Sequence, residues 1–225
     1  MATERDDDGF VFKTLATASL TAGDRALMLS LFDACYRQAN HAYFEKSLEQ
    51  LRYASLVWHG ERPAGFGLAD RRVVELPRLP QQTIVMGGLC CVLPDFRRQG
   101  LFGALEQRAM AAEGAPRPGR VLACGRMAHP AAFRTLAVSP TVVPKPGVPL
   151  TAWQREVGQA VADVYGVESF DPETFVCLGT GKPIGYPVIE MQVESPEWEV
   201  FRPVDRDRGD SLLGLAWSPD APPGW

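Results

Sequence analysis

The chain has 225 residues, 46% of them hydrophobic and 22% charged, with a formal net charge of −4 and a sequence pI near 5.5. A chain of this length can bury a full apolar core without disulfides or metals, and it fits one elaborated domain or a domain with an appendage. The composition excludes disorder, collagen and coiled coil as the main architecture. The acidic balance argues against nucleic acid as a partner.

The longest mainly apolar runs, such as residues 83–93, are shorter than the roughly 20 residues of a membrane span. The acidic N-terminus has no apolar signal-peptide core and does not fit a transit peptide. We therefore expect a cytoplasmic protein with no membrane partner.

The cysteines are odd in number and irregularly spaced, and the three histidines show no metal-ligand spacing. This pattern predicts reduced, mostly buried thiols and no metal site. The cysteines are Cys35, Cys90, Cys91, Cys124 and Cys177.

Hydrophobic periodicity and turn residues divide the first half of the chain into regular elements. Residues 1–8 are predicted to be a frayed acidic tail. The elements that follow are a strand 10–15, a helix from Thr21 and Asp24 through about 38, a helix of about 41–52, a hairpin with strands 53–58 and 64–76 around a turn at 59–63, and a doubly buried strand 83–93.

The second half begins with a helix from Leu101, stopped by Gly114 and the Pro-Arg-Pro-Gly run 116–119. A strand 120–126 and a helix starting at His129-Pro130 follow, so the middle of the chain predicts two parallel strands joined by a helical crossover. The remaining predictions are a helix with a capping box at 151–154, strands 174–178 and 187–193, one further strand 197–204, and an irregular tail 217–225.

A glycine-containing turn links the buried strand 83–93 to the following helix. The first N–H groups of a helix have no partner inside it and the helix dipole is positive there, so this turn is suited to a phosphate or pyrophosphate. Gly100 and Gly103 let the backbone approach such a ligand closely. Arg97 and Arg98 add positive charge.

The segment Val92-Leu93-Pro94 followed by Arg97-Arg98-Gln99-Gly100-Leu101-Phe102 resembles the acyl-CoA signature of the GNAT superfamily of N-acetyltransferases. Phe102 stands where that family usually has Gly or Ala, although Gly103 follows at once. The order of elements over residues 10–140 is also similar to that of the family. The resemblance implies an α/β fold with a mixed, largely antiparallel sheet, a parallel central strand pair and flanking helices. It further implies an acyl-CoA-binding core at 10–143 and a C-terminal extension at 144–225, packed on the same sheet.

The family resemblance also implies where acetyl-CoA or another acyl-CoA binds as co-substrate. The pantetheine arm would pair with the backbone of Cys91, Val92 and Leu93. The pyrophosphate would lie on the amides of residues 98–103, that is Arg98, Gln99, Gly100, Leu101, Phe102 and Gly103.

Acyl transfer to an amine needs a base for the ammonium group and an acid for the departing thiolate. A tyrosine often supplies the acid in the family, but Phe133 stands in the matching position here. His129, Glu190 and Tyr186 are the candidates that we name instead. The alternatives are a proton taken from water, the loss of acetyl transfer, and a covalent acyl-cysteine at Cys90 or Cys91.

A second segment, residues 125–129 with the helix after it and 142–148, is similar to the nodulation-type N-acyltransferases, which take acyl chains from acyl carrier protein. The prediction is thus an acyltransferase acting on a primary amine of a small molecule or peptide, with the C-terminal extension shaping acceptor specificity. A long-chain or carrier-protein-dependent acyltransferase, another specialised-metabolism enzyme on this fold, and a non-catalytic acyl-CoA-binding protein remain alternatives. A homodimer is left open.

Overall fold

The computed structural model describes residues 2–114 and 119–225, which alternate between strands and helices. The strands are β1 (Ala2–Arg5), β2 (Phe10–Ala16), β3 (Tyr36–Arg37), β4 (Tyr53–His59), β5 (Arg62–Leu76), β6 (Leu79–Val92), β7 (Val121–Met127), β8 (Phe170–Asp171), β9 (Val176–Cys177), β10 (Tyr186–Pro187) and β11 (Ser211–Ser218). The α-helices are α1 (Ala22–Cys35), α2 (His41–Gln50), α3 (Leu101–Ala111), α4 (Pro130–Ala137) and α5 (Ala152–Val164). Short 3-10 helices cover Thr17–Ser19, Pro94–Phe96 and Ser195–Phe201.

Two helices begin at reciprocal caps that the sequence encodes locally. The Thr21 hydroxyl accepts the Asp24 N–H at 3.1 Å, and the Asp24 carboxylate accepts from the Thr21 N–H. Thr151 and Gln154 form the predicted capping box at the start of α5. Such caps satisfy N–H groups that the helix itself leaves unpaired.

The first of two compact units comprises, among the described residues, 2–71, 86–114 and 185–190. Its strands are hydrogen-bonded in the order β1-β2-β4-β5-β6, with antiparallel pairing from β1 to β5. A separate antiparallel pair joins β3 to β10. The final residues of β6 belong to this unit and are followed by the 3-10 helix Pro94–Phe96, a short loop and α3.

Helices cover both faces of the sheet in the first unit. Neighbouring strand residues point to opposite faces, so each face presents its own set of apolar side chains. On one face, α3 packs onto a cluster that includes Phe12, Val57 and Leu105. On the other face, the Phe44 ring of α2 meets the Phe66 ring of β5 with centroids 6.1 Å apart. All five side chains have an exposed fraction of at most 1%.

The second unit comprises, among the described residues, 72–85, 119–184 and 191–225. The start of β6 lies next to β7 in a parallel pair, and the order continues through β11 and β9 to β8. The pairs β7–β11, β11–β9 and β9–β8 are antiparallel. The mixed, largely antiparallel sheet with one parallel pair and flanking helices confirms the predicted fold class.

Helices α4 and α5 each pack closely in the second unit at a contact that involves a glycine. A Cβ on Gly214 of β11 would come within 2.9 Å of Phe133 on α4, and one on Gly158 of α5 would lie 2.6 Å from the Phe175 ring. The Tyr165 hydroxyl donates to the Cys124 carbonyl of β7 at 3.0 Å. Close packing against backbone therefore fixes both helices.

The acidic tail predicted for residues 1–8 is wrong for the described part, since Ala2–Arg5 forms β1 against residues 11–14 of β2. A turn between β1 and β2 allows this pairing. The Asp6 carboxylate accepts the N–H groups of Asp8 and Phe10, and Gly9 adopts a left-handed conformation with a φ of +83°. The predicted helix through 38 ends earlier, at Cys35. Tyr36 is extended there and pairs with Pro187, a partner far away in sequence.

The C-terminal region differs most from its predictions. The predicted strand 174–178 is shortened to β9 because Phe175 has a φ of +60°, which interrupts the extended backbone. The predicted strand 187–193 is shortened to β10 because its pairing partner, β3, has only two residues. Residues 195–201 are a 3-10 helix rather than a strand, since Glu197 and the Glu194 carboxylate form a reciprocal cap. Trp217 belongs to β11 and not to an irregular tail.

Strand β11 has no counterpart among the sequence predictions, yet seven of its eight residues are buried.

The helix stop predicted at 116–119 falls largely on residues 115–118, outside the described residues, and α3 ends at Ala111. Within 2–114 and 119–225, no helix combines the length and apolar character needed to cross a membrane. The boundary predicted at residue 143 remains a prediction.

Candidate functional site

The loop from β6 to α3 is anchored at both ends by buried side chains. Phe96, at the end of the 3-10 turn, is 7% exposed and packs edge-on against Phe10, with ring centroids 6.1 Å apart. Leu101, the first residue of α3, is 3% exposed. The short stretch 97–100 between these anchors is therefore held in a defined conformation.

Two residues of this stretch have left-handed backbone conformations. Arg98 has a φ of +65° and Gly100, the N-cap of α3, has a φ of +74°. Arg98, Gln99 and Gly100 are all exposed. Left-handed residues in a turn direct successive N–H groups toward one side and create a concave surface for anions.

Most amides of residues 98–103 are available to a ligand. Within the described chain, the N–H groups of 98 and 100–103 donate no hydrogen bond, whereas Gln99 closes the turn over 97–98. The first N–H of α3 to donate is that of Ala104, to the Gly100 carbonyl at 3.1 Å. A Cβ added at Gly100 or Gly103 would meet nothing within 4 Å. The loop therefore offers unpaired donors and open space at the positive end of an 11-residue helix.

Arg97 has a different role from its neighbour Arg98. Its Nε donates to the Val92 carbonyl at 3.1 Å, and its Nη1 donates to the Ile189 carbonyl at 2.9 Å. The Arg97 guanidinium thus ties the loop to the end of β6 and to the segment 185–190. Arg98, exposed on the loop, is the arginine better placed to meet an anion in solution.

The end of β6 is fixed against β5. The Leu93 N–H donates to the Ala64 carbonyl at 2.9 Å, and a Cβ on Gly65 would clash with the Cys91 carbonyl. Glycine at position 65 is what allows this close approach of the two strands. These contacts hold the end of β6 in a fixed position. The donor-binding role of Cys91, Val92 and Leu93 at this strand end stays a prediction.

Tyr186 and Glu190 lie in the same unit as the loop. Tyr186 pairs with Arg37 across the β3–β10 ladder, and two residues later the Val188 N–H donates to the Cys35 carbonyl at 2.9 Å. Glu190 is exposed. The Arg97–Ile189 bond joins this segment to the loop, so the structure brings both candidate residues into the neighbourhood of the loop.

His129 lies in the second unit and caps α4. Its Nδ1 accepts the Ala131 N–H at 3.1 Å. A neutral imidazole with an accepting Nδ1 carries its proton on Nε2, so the lone pair that a base needs is engaged in the cap. Acting as a base would require His129 to give up this hydrogen bond.

Near His129, an ion pair links α4 to the 3-10 helix Ser195–Phe201. Arg134 and Glu197 are joined at 2.5 Å, and hydrogen bonding by Arg134 lowers the pKa of Glu197 to about 2. The His129 ring meets Trp198 edge-on, with centroids 5.2 Å apart. Phe133, in the position where the family has tyrosine, is buried against Phe201 and has no proton to give.

Three residues of chemical interest in the first unit were not among the predicted site residues. Burial raises the pKa of Glu106 on α3 to about 7. Cys35 and Tyr36, at the end of α1, lie next to Cys91, and burial raises the pKa of the Tyr36 hydroxyl well above its usual value. No local sequence signal distinguishes these residues from ordinary core positions, since their surroundings come from distant strands.

Across residues 2–114 and 119–225, no three His, Cys, Asp or Glu side chains are grouped so that they could hold a metal ion. The five cysteines are free thiols, and all but Cys90 are buried.

No protein-family model and no curated protein matches the sequence. Solved structures do match, at low identity, and several of them are named as acetyltransferases. The ribosomal-protein-S18-alanine N-acetyltransferase from Escherichia coli is 11% identical, with 95% of this chain and 98% of that chain covered and a TM-score of 0.43.

Two further matches have the same low level of identity. The NatC complex bound to Gag peptide and CoA is 12% identical, with 92% and 97% of the two chains covered and a TM-score of 0.40. A soil-metagenome aminoglycoside acetyltransferase is 18% identical, with 45% of this chain and 67% of that chain covered and a TM-score of 0.32. The substrates in these names belong to those proteins.

Proposed function

We propose that this protein is an acyltransferase that moves an acyl group, acetyl in the first instance, from CoA to a primary amine of a small molecule or peptide. One observation carries the proposal: apart from that of Gln99, the amides of residues 98–103 lack partners within the described chain, and a Cβ placed at Gly100 or Gly103 would meet nothing within 4 Å. A pyrophosphate needs such donors, and the positive end of α3 adds to its stabilisation. The loop therefore fits the diphosphate of a CoA-type donor.

The donor would supply a thioester, and the chain would bind it and place an amine beside it. Arg98 adds exposed positive charge to the amides, and Arg97 keeps the end of β6 and residue 189 attached to the loop. Tyr186 and Glu190 are the proton-transfer candidates that lie in the same unit as the loop. His129 remains a candidate whose cap would have to open.

A direct acyl transfer to an amine is the reaction to test. The full chain, acetyl-CoA and a panel of primary amines would be incubated, and each amine examined by mass spectrometry for the addition of one acetyl group. We expect at least one amine to be acetylated at a rate that depends on protein concentration. CoA release must match the acetylated product mole for mole.

A non-catalytic acyl-CoA-binding protein is the second candidate, because Phe133 cannot supply the proton that the family's tyrosine gives. Tight acetyl-CoA binding without acetylation of any amine would favour it and contradict the enzyme. The carrier-protein donor would be favoured if CoA thioesters do not bind but acylated carrier protein supports transfer. A homodimer and a cytoplasmic location stay predictions.

A further inference from the structure

The segment 185–190 is a short stretch held by contacts from outside it, since its only regular element is the two-residue strand β10. Backbone contacts hold its first part: β10 pairs with β3, and the Val188 N–H donates to the Cys35 carbonyl at 2.9 Å. A side chain holds its second part, because the Arg97 Nη1 donates to the Ile189 carbonyl at 2.9 Å. Only the last of these three contacts depends on which side chain stands at one position.

The Ile189 carbonyl belongs to the peptide unit that leads into Glu190. A peptide unit is planar, so the bond from Arg97 to this oxygen constrains the plane from which the Glu190 Cα continues. The backbone contacts of the segment lie at residues 186–188 and do not by themselves set this plane. Arg97 therefore acts directly on the position of the Glu190 backbone.

The same guanidinium also holds the last peptide unit of β6. Its Nε donates to the Val92 carbonyl at 3.1 Å, and the N–H of that peptide unit, from Leu93, donates to the Ala64 carbonyl at 2.9 Å. Because a guanidinium is a rigid planar fork, two bonds from it fix the two acceptors relative to each other. Arg97 thus links the peptide before Glu190 to the strand end proposed to hold the donor.

The contribution of Arg97 at these two oxygens is geometric, since both acceptors are neutral backbone carbonyls. Lysine would keep the positive charge beside the turn, but it offers a compact ammonium on a flexible stem in place of the planar fork. The substitution Arg97→Lys therefore separates the geometric effect of this side chain from its electrostatic effect.

We propose that Arg97 is a positioning residue for the acceptor side of the proposed reaction. By holding the peptide before Glu190 against the end of β6, it places the Glu190 carboxylate to take the proton that the acceptor's ammonium group loses before its nitrogen attacks the thioester. This inference rests on the proposed function, because transfer to an amine is what requires a base at that place. Arg97 acts through Glu190 and not on the reacting atoms.

Donor binding should depend much less on the Arg97 side chain. The end of β6 keeps the bond from Leu93 to Ala64 and its close contact at Gly65, and the donors of the turn are backbone amides. A misplacement of about 1 Å at a reacting group can lower a rate by roughly a hundredfold. Loss of the fork should therefore reduce turnover and leave the affinity for CoA almost unchanged.

Steady-state kinetics and CoA titration of the full chain test the proposal, with acetyl-CoA and an amine that the wild type acetylates. We expect kcat to fall at least about tenfold in Arg97→Lys, while the CoA dissociation constant stays within about threefold of the wild-type value. Glu190→Gln should also lower kcat. The double variant should be no slower than Glu190→Gln alone, because the two residues act as one unit.

Amide hydrogen exchange tests the contact without any substrate. Arg97→Lys should speed exchange of the Val188 N–H at least about fivefold, since the segment loses one of the contacts that hold it. Arg98→Gln is the control, because Arg98 is the exposed arginine next in the chain, and it should leave this exchange rate unchanged. If circular dichroism shows that Arg97→Lys does not fold, Arg97→Gln replaces it and is compared with Arg98→Gln, which loses the same charge.

Wild-type kcat in folded Arg97→Lys, or a loss of CoA affinity as large as the loss of turnover, would overturn the proposal. So would effects that multiply in the double variant, or an unchanged exchange rate at Val188. If the wild type acetylates no amine, the proposed function fails and the positioning role fails with it, whereas faster exchange in Arg97→Lys would still establish the contact. If the wild type is active and Arg97→Lys is equally active, this inference alone fails.

Discussion

Replacing Gly103 by alanine should stabilise the fold and weaken CoA binding at the same time. Gly103 is the third residue of α3, and an added Cβ meets nothing within 4 Å. Alanine favours a helix interior over glycine by about 0.8–1.0 kcal/mol, and we expect about half of this in the first turn. For a chain of this length the melting temperature should rise by about 1–2 °C.

The same methyl group would take up part of the open space beside Gly103, at the start of α3, where we place the diphosphate. We expect the CoA dissociation constant to rise at least about tenfold, a loss of roughly 1.4 kcal/mol in binding. Calorimetric titration and thermal unfolding of the same preparation measure the two effects. Because the change stabilises the helix, weaker binding could not be attributed to unfolding.

Gly23→Ala is the matched control, since Gly23 lies in the first turn of α1 and its added Cβ would have only an ordinary 3.7 Å contact with Thr21. It should raise the melting temperature by a similar amount and leave CoA binding unchanged. Wild-type CoA affinity in Gly103→Ala would refute the assignment of the diphosphate to this turn.

Three further substitutions test other parts of the structure. Gly158→Ala places a Cβ 2.6 Å from the Phe175 ring and should cost about 1–3 kcal/mol in a urea titration; an unchanged midpoint would contradict the packing. Burial raises the pKa of Glu106 to about 7, above its value in the unfolded chain. The free energy of unfolding of the wild type should therefore fall as the pH rises from about 4.5 to 7. The loss should be at most about 3 kcal/mol for this half-buried side chain. Glu106→Gln should remove that slope, and an identical slope in the variant would exclude this carboxyl. His129→Ala should lose about 1 kcal/mol because the cap on Ala131 is gone, whereas His129→Ser should retain it. Unchanged turnover in folded His129→Ser would remove the imidazole from the mechanism.

The middle of the fold could be predicted because its signals are local. The apolar run of β6, Pro94 after it, and Gly100 before a helical pattern define a strand, a turn and a helix within about 30 residues. The caps at Thr21 and Thr151 likewise act over three residues. The loop that forms the candidate site was found for this reason.

The remaining structure depends on partners that are distant in the sequence. Tyr36 leaves the helical pattern because residues 186–187 pair with it, and β11 is buried by β7 on one side and β9 on the other. Periodicity within a short window carries no information about such contacts.

The most direct test of the central claim is a calorimetric titration of the full chain with CoA and, separately, with pantetheine, which lacks the diphosphate. If the amides of 98–103 hold the diphosphate, CoA should bind in the micromolar range and pantetheine at least about a hundredfold more weakly, a difference of roughly 2.8 kcal/mol. Equal affinity for the two compounds, or no binding of CoA, would contradict the account.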